Sequence, residues 1–157
     1  MDLKLKTDRL EYISENYPTT LLRAIYVRNY TRLKEILGPF NVTPSQWRVL
    51  ANLNEYDGQN VNSLAERSYT DRTNLSRSVA IMETEGLVVR RRETIDQRNV
   101  LVFMTKKGYA KFAQVLPLVL EEIDFVLEGL TEIEINTFMQ LLRKVKNNSF
   151  KIWRPNN

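Results

Sequence analysis

Apolar residues recur at three- and four-residue spacing along most of this chain, a pattern that predicts a mainly helical protein. Between Pro18 and Leu37, the residues Leu22, Ile25, Tyr26, Tyr30, Leu33, Ile36 and Leu37 form one broad apolar face. Gly38-Pro39 ends that helix. A second helix opens at Thr43, its cap, with Pro44 as first helical residue. It carries Trp47, Val49, Leu50 and Leu53 and ends near Asp57-Gly58. A short third helix, about Asn62 to Arg67, turns Leu64 and Ala65 inward. The fourth, about Asp71 to Glu85, buries Leu75, Val79 and Met82 and closes at Gly86, which suits a left-handed cap.

The period then changes. Leu87 to Arg92 and Val100 to Met104 are rich in β-branched and bulky apolar residues, and polar turn residues join them as a ribbon. Helical spacing returns from Thr105 to Gly129, with Phe112, Leu116, Val119, Leu120, Ile123, Val126 and Leu127 as the apolar positions. Pro117 lies inside this segment and is expected to kink it. Thr131 and Glu134 have capping-box spacing, so a last helix starts there and carries Ile133, Ile135, Phe138, Leu141, Leu142 and Val145.

Helix, turn, helix and basic ribbon in that order is the layout of a winged helix-turn-helix DNA-binding module. The expected fold class is therefore mainly α with a small β-wing. Residues 39–104 form the winged module, and residues 1–38 and 105–157 a helical dimerisation region. On the fourth helix Arg72, Thr73, Asn74, Ser76 and Arg77 lie away from the Leu75–Val79–Met82 stripe, so they are the candidates for base and phosphate contact. Arg90, Arg91 and Arg92 alternate sides along a strand, and Arg90 and Arg92 are the pair expected to touch phosphate or brace the wing. The first helix and the terminal helices carry more apolar surface than a small winged core needs, which a second copy of the chain would bury. The apolar tail residues Phe150, Ile152 and Trp153 are expected to pack on that partner or on the first helix.

Composition narrows the chemistry further. The net charge of +4 agrees with a polyanionic partner. There is no cysteine, which removes disulfides, thiolate redox sensing and thiol catalysis. There is no histidine either, so the commonest transition-metal ligand and the usual general base near neutral pH are missing. With five glycines and no Gly-rich phosphate loop, neither an enzyme nor a bound cofactor or metal is expected. No apolar run approaches the roughly 18 residues of a membrane span. The first residues have no apolar stretch of signal-peptide length, so a cytoplasmic protein is expected.

The segment DRTNLSRSVAIMETEGLVVRRRETIDQRNVLVFMTKKG resembles the signature of the MarR family of bacterial transcription regulators. That signature runs D-R-S-x-x-S/T-R, then E-x-x-G-L-V-x-R, then D-x-R at the wing and L-T-x-x-G at its close. The matching residues are Asp71-Arg72-Thr73 through Ser76-Arg77, Glu83 to Arg90, Asp96-Gln97-Arg98 and Met104 to Gly108, with Met104 where leucine is usual. Thr43-Pro44-Ser45-Gln46-Trp47 and Gly129-Leu130-Thr131 with Glu134 extend the likeness to both sides. The resemblance implies a homodimer built from the first, fifth and sixth helices that reads a pseudo-palindromic double-stranded operator. It also implies that Arg98 enters the minor groove at the wing tip and that Asp96 fixes the wing by pairing with an arginine.

Many members of the family bind small aromatic or phenolic anions. Here Arg23, Tyr26, Tyr30 and Trp47 are the candidate effector residues, an arginine beside aromatic walls suiting a carboxylate. The expected function is a repressor released by such an effector. The alternatives are that these aromatics are core residues, and that the protein is an effector-independent DNA-binding protein or a protein–protein adaptor.

Overall fold

The computed structural model describes residues 17–93 and 99–151. Its elements are α1 (Pro18–Leu37), a 3-10 turn (Gly38–Phe40), α2 (Pro44–Glu55), β1 (Gln59–Asn60), α3 (Val61–Arg67), α4 (Arg72–Thr84), β2 (Val88–Arg92), β3 (Val100–Met104), α5 (Lys106–Val126) and α6 (Glu132–Ser149). The three strands form an antiparallel sheet in the order β1-β3-β2. Helix dominates, with one small sheet, as the sequence pattern predicts.

Local chemistry accounts for the helix starts. The Thr43 side chain accepts the Gln46 backbone N–H at 3.2 Å, and the Gln46 side chain accepts the Thr43 N–H at 2.8 Å, a complete capping box. Thr131 and Glu134 close the same box at the start of α6. Asn60 caps α3 through Ser63 N–H, and Asp71 caps α4 through Asn74 N–H. Gly86 takes a positive φ of 71° just past α4, as its expected role as the stop requires. Helix α5 runs through Pro117 as a single element.

The chain divides into two compact units after Val119. The core of the first unit gathers Leu50, Leu53, Leu64, Leu75, Val79, Met82, Val88 and Val102, with Leu37 from the end of α1 and Phe112 and Val115 from α5. Each fully buried residue of this size contributes about 1.5–3 kcal/mol, so this shared core is what holds α4 in place. Trp47 is 7% exposed and stacks on Phe112 with ring centroids 5.0 Å apart. The Trp47 indole is thus part of the core.

The strand β1 has no counterpart in the sequence pattern. Its two residues are both polar, and it exists because Gln59 and Asn60 pair with Val102 and Leu101 on the free edge of β3. Just before it, Asp57 Oδ1 accepts the Met104 N–H at 2.9 Å, so a side chain continues the ladder where the backbone turns away.

In the second unit, no residue of α6 is fully buried, although its apolar positions recur at helical spacing. Phe150, just past α6, is also exposed. Ile152 and Trp153 of the predicted apolar tail lie outside the described residues.

Candidate nucleic-acid interface

Helix α4 is anchored from below and polar above. Leu75, Val79 and Met82 have no exposed surface, whereas Arg72, Thr73, Asn74, Ser76 and Arg77 are all exposed. The sequence pattern places all five on the outer side, and the structure brings them together on the first two turns of the helix. Ser78 Oγ lies 2.8 Å from Ser45 Oγ, and Gln46 donates to the Glu85 carboxylate at 3.0 Å, so α2 also holds the flank of α4. The turn leading into the helix is pinned as well. Asn52 donates to Ser68 Oγ, and the Thr70 hydroxyl donates to the Ser68 carbonyl. Tyr69, in that turn, has a φ of 49°, a left-handed conformation that a bulky side chain adopts only at some cost.

The base of the wing shows what the spacing of Glu83 and Arg90 does. The Glu83 carboxylate accepts the Arg90 backbone N–H at 2.9 Å and its Nε–H at 2.7 Å, and lies 2.5 Å from the second guanidinium nitrogen. This clamp ties the end of α4 to β2. It holds the Glu83 carboxyl below its ordinary value of 4.5, first through the hydrogen bond from the Arg90 side chain, then through the one from its backbone and the attraction of its charge. Sequence reasoning leaves the partner of Arg90 open, because the two residues are seven apart and meet only once the chain has turned at Gly86.

The neighbouring arginines differ. The Arg91 guanidinium sits 5.3 Å over the Phe103 ring, on the opposite side of the strand, and Arg92 is exposed. Asp96 and Arg98 lie outside the described residues. Glu93 N–H donates to the Asn99 carbonyl at 2.9 Å, and the Asn99 amide donates to the Glu93 carboxylate at 2.7 Å, which joins the two strands where the described ribbon ends.

Because the lowered Glu83 value means a carboxylate favoured in the folded state, its contribution is complete above pH 4.5 and is lost as the pH falls through the lowered value. Both partners are partly exposed, with side-chain exposures of 41% for Arg90 and 32% for Glu83, so solvent screens the pair. Glu83→Gln should therefore cost about 1 kcal/mol at neutral pH. That difference from wild type should be smaller at an acid pH below 4.5 than at neutral pH, and should keep shrinking as the pH falls through the lowered value. Urea unfolding of both proteins at the two pH values checks this, and a difference independent of pH would contradict it.

The candidate effector residues are placed on two elements. Arg23, Tyr26 and Tyr30 follow one another at helical spacing on α1 and are exposed, with the two tyrosine rings stacked at 5.9 Å. Trp47 is in the core on α2, as described above. Among the described residues, no group of three or more carboxylates could hold a metal ion, and no helix is long and apolar enough to cross a membrane.

Comparison with known proteins agrees with this architecture. The MarR family model matches residues 42–100, which span α2 to the start of β3. The chain is 29% identical over 113 residues to the HTH-type transcriptional regulator FarR of Neisseria gonorrhoeae, covering 72% of this chain and 75% of that protein. It is 33% identical over 79 residues to the homoprotocatechuate degradative operon repressor of Escherichia coli, covering 50% and 53% of the two chains. Among solved structures, a MarR family regulator from Silicibacter pomeroyi superposes with a TM-score of 0.81 at 26% identity, covering 92% of this chain and 97% of that one. The transcriptional repressor CouR, bound to a 23-mer DNA duplex, superposes with a TM-score of 0.76 at 25% identity, covering 91% and 99%. An anchored helix with a polar outer face, a clamped wing and these relatives together identify residues 42–100 as a winged module of the MarR family, in a chain similar over most of its length to DNA-binding transcriptional regulators of that family.

Proposed function

We propose that this regulator is a homodimeric repressor that binds a pseudo-palindromic operator and is released by a small aromatic carboxylate or phenol. The observation that carries the DNA half of this reading is the exposed row Arg72, Thr73, Asn74, Ser76 and Arg77 above a fully buried stripe. A helix fixed along its buried side and flank, with its polar residues outward, is suited to lie in the major groove, where Asn74 could pair with adenine and Arg77 with guanine. Arg90 braces the wing through Glu83, Arg92 faces the phosphates, and Arg98 at the wing tip enters the minor groove with Asp96 as its brace. Two copies are expected because α1 and α6 leave much of their apolar surface uncovered in the single chain.

For the effector half, Arg23 beside the stacked Tyr26 and Tyr30 offers a charged end and an aromatic wall. Trp47 would support that wall from the core. The homoprotocatechuate repressor among the relatives favours an aromatic acid as the class of ligand. An effector can release DNA only by binding the non-binding arrangement more tightly than the bound one.

The test uses an operator duplex selected by the protein from a random pool. Arg98→Ala should weaken its binding by about 1–3 kcal/mol at fixed salt, and unchanged affinity would remove Arg98 from the interface. A panel of benzoates, cinnamates and phenols, screened by thermal shift and then by operator release, tests the effector. Release that persists in Arg23→Ala would move the ligand site elsewhere. A panel with no active member would favour an effector-independent regulator.

A further inference from the structure

A recess of about 260 Å3 opens between α4, the start of α3 and the base of the wing. Its lining is Asn60, Val61 and Asn62 from one side, Arg72 and Ser76 from α4, and Asn99 with Val100 from β3 and the residue before it. This is a concentrated set of hydrogen-bond donors with a single positive charge, and no carboxylate lines it. Two acidic groups beside the lining, among the described residues, already have partners. Asp71 accepts the Asn74 N–H, and Glu93 accepts the Asn99 amide. Asn60 spends its side-chain oxygen on the Ser63 N–H at 2.9 Å, so the end it presents to a ligand is the amide nitrogen.

We propose that this recess seats one phosphodiester of the DNA backbone, with Arg72 as its charged clamp and Asn62, Asn60 and Ser76 as neutral donors, so that Arg72 holds the strand and does not read a base. The inference rests on the placement of α4 in the major groove. If α4 lies in the major groove and the wing reaches the adjacent minor groove, the strand dividing the two grooves must cross the protein between them. The recess is bordered by α4 on one side and by the base of the wing on the other, so it lies between the two elements that such a strand would pass. It is concave and lined by side chains from separate elements, which suits an anion standing out from the duplex. A base edge, by contrast, lies on the groove floor and is met by a convex helix. The chemistry also fits, since one guanidinium with several neutral donors matches one singly charged group with two free oxygens. Asn74 and Arg77, outside the recess, are left as the readers of sequence.

Asn62→Asp tests this most directly. Asn62 is an exposed residue in the first turn of α3, where a carboxylate is tolerated or mildly stabilising, so the fold should be kept while a negative charge enters the recess. Affinity should fall about tenfold or more for the selected operator and for unrelated duplex alike, because a phosphate carries no sequence. Arg72→Gln should also weaken both duplexes equally and reduce the slope of log affinity against log salt by about 1. Replacing single operator phosphates by uncharged methylphosphonates should reveal one position per half-site at which Asn62→Asp no longer weakens binding.

The proposal is overturned if Asn62→Asp binds DNA as wild type does, or if no methylphosphonate removes its effect. It is equally overturned if Arg72→Gln costs much more on the operator than on unrelated DNA, which would make Arg72 a base reader. If Asn62→Asp abolishes binding of inorganic phosphate to the free protein while leaving operator affinity intact, the recess belongs to a free anion and the proposal also fails. Asn74→Ala keeps the underlying reading separate. Should it erase sequence preference while Asn62→Asp does nothing, the recess is wrong and the placement of α4 stands.

Discussion

Replacing Leu141 by arginine is expected to convert the protein into a monomer at micromolar concentration and to weaken operator binding by about a hundred- to ten-thousand-fold. The expectation follows from the state of α6. Its 18 residues include none that is fully buried, and Ile133, Phe138, Met139, Leu141 and Val145 are all exposed. Leu141 lines an apolar groove with Leu130, Thr137 and Phe138. An isolated helix of this length is marginal in water, and most helical stability in proteins comes from packing an apolar face. Such a face needs a cover, and α1 raises the same demand, with Leu21, Ile25, Tyr26 and Val27 exposed and only Leu37 fully buried. In a two-fold dimer one substitution enters the interface twice. Each unpaired buried charge costs several kcal/mol, enough to dissociate a dimer held by burial of apolar surface. The monomer keeps its winged module, so it should bind an isolated half-site as well as wild type does and lose only the gain from linking two sites. Sedimentation equilibrium with paired half-site and full-site titrations reads both quantities. A variant that still sediments as a dimer would exclude Leu141 from the interface, and a wild-type monomer would exclude the dimer altogether.

The fold is legible in the chain wherever one residue type at one spacing has one physical use. Thr43 with Pro44 and Gln46 starts α2, Thr131 with Glu134 starts α6, and Gly86 stops α4, all as their local chemistry dictates. The buried stripe Leu75, Val79 and Met82 is equally plain, because period alone separates a core face from a wet one. What stays hidden is set by partners far apart in sequence. Gln59 and Asn60 form a strand only because β3 has an edge to offer, and two polar residues give no strand signal of their own. Three arginines in a row look alike, yet Arg90 is held by Glu83 and Arg91 lies over Phe103. Tyr26, Tyr30 and Trp47 look alike too. Trp47 is a core residue stacked on Phe112, and the tyrosines are exposed, a distinction that depends on what α5 brings up against α2. The polar recess is the extreme case, since its donors come from residues 60 to 100 and no local pattern announces them.

Gly108→Ala should destabilise the winged module by about 3 kcal/mol, a fall in melting temperature of roughly 6–12 °C for a chain of this length. A Cβ at this position would stand 2.2 Å from the Leu87 carbonyl oxygen and 2.7 Å from Met104 Cγ. Neither neighbour is free to move. The Leu87 carbonyl accepts the Thr105 N–H at 3.1 Å, and the single hydrogen of the Thr105 hydroxyl is shared between the Gly86 carbonyl at 2.7 Å and the Leu87 carbonyl at 3.1 Å. The Gly108 N–H in turn donates to Thr105 Oγ1. Thr105 and Gly108 thus act together. The hydroxyl bridges the turn after α4 to the start of α5, and the missing side chain lets the two backbones meet. Shifting Leu87 to admit a methyl group would break the bridge and pull on Val88, which is paired with Met104 in the sheet. Gly38→Ala is the control. Its φ is −52°, an added Cβ meets nothing within 4 Å, and alanine there should be neutral or should stabilise by about 0.4–1 kcal/mol through the unfolded chain. If both variants melt with the wild type, the close approach of α5 to the α4–β2 corner is not what the T-x-x-G spacing serves. If only Gly108→Ala falls, that glycine is required by contact and not by conformation, since its place inside α5 is one that alanine would otherwise favour.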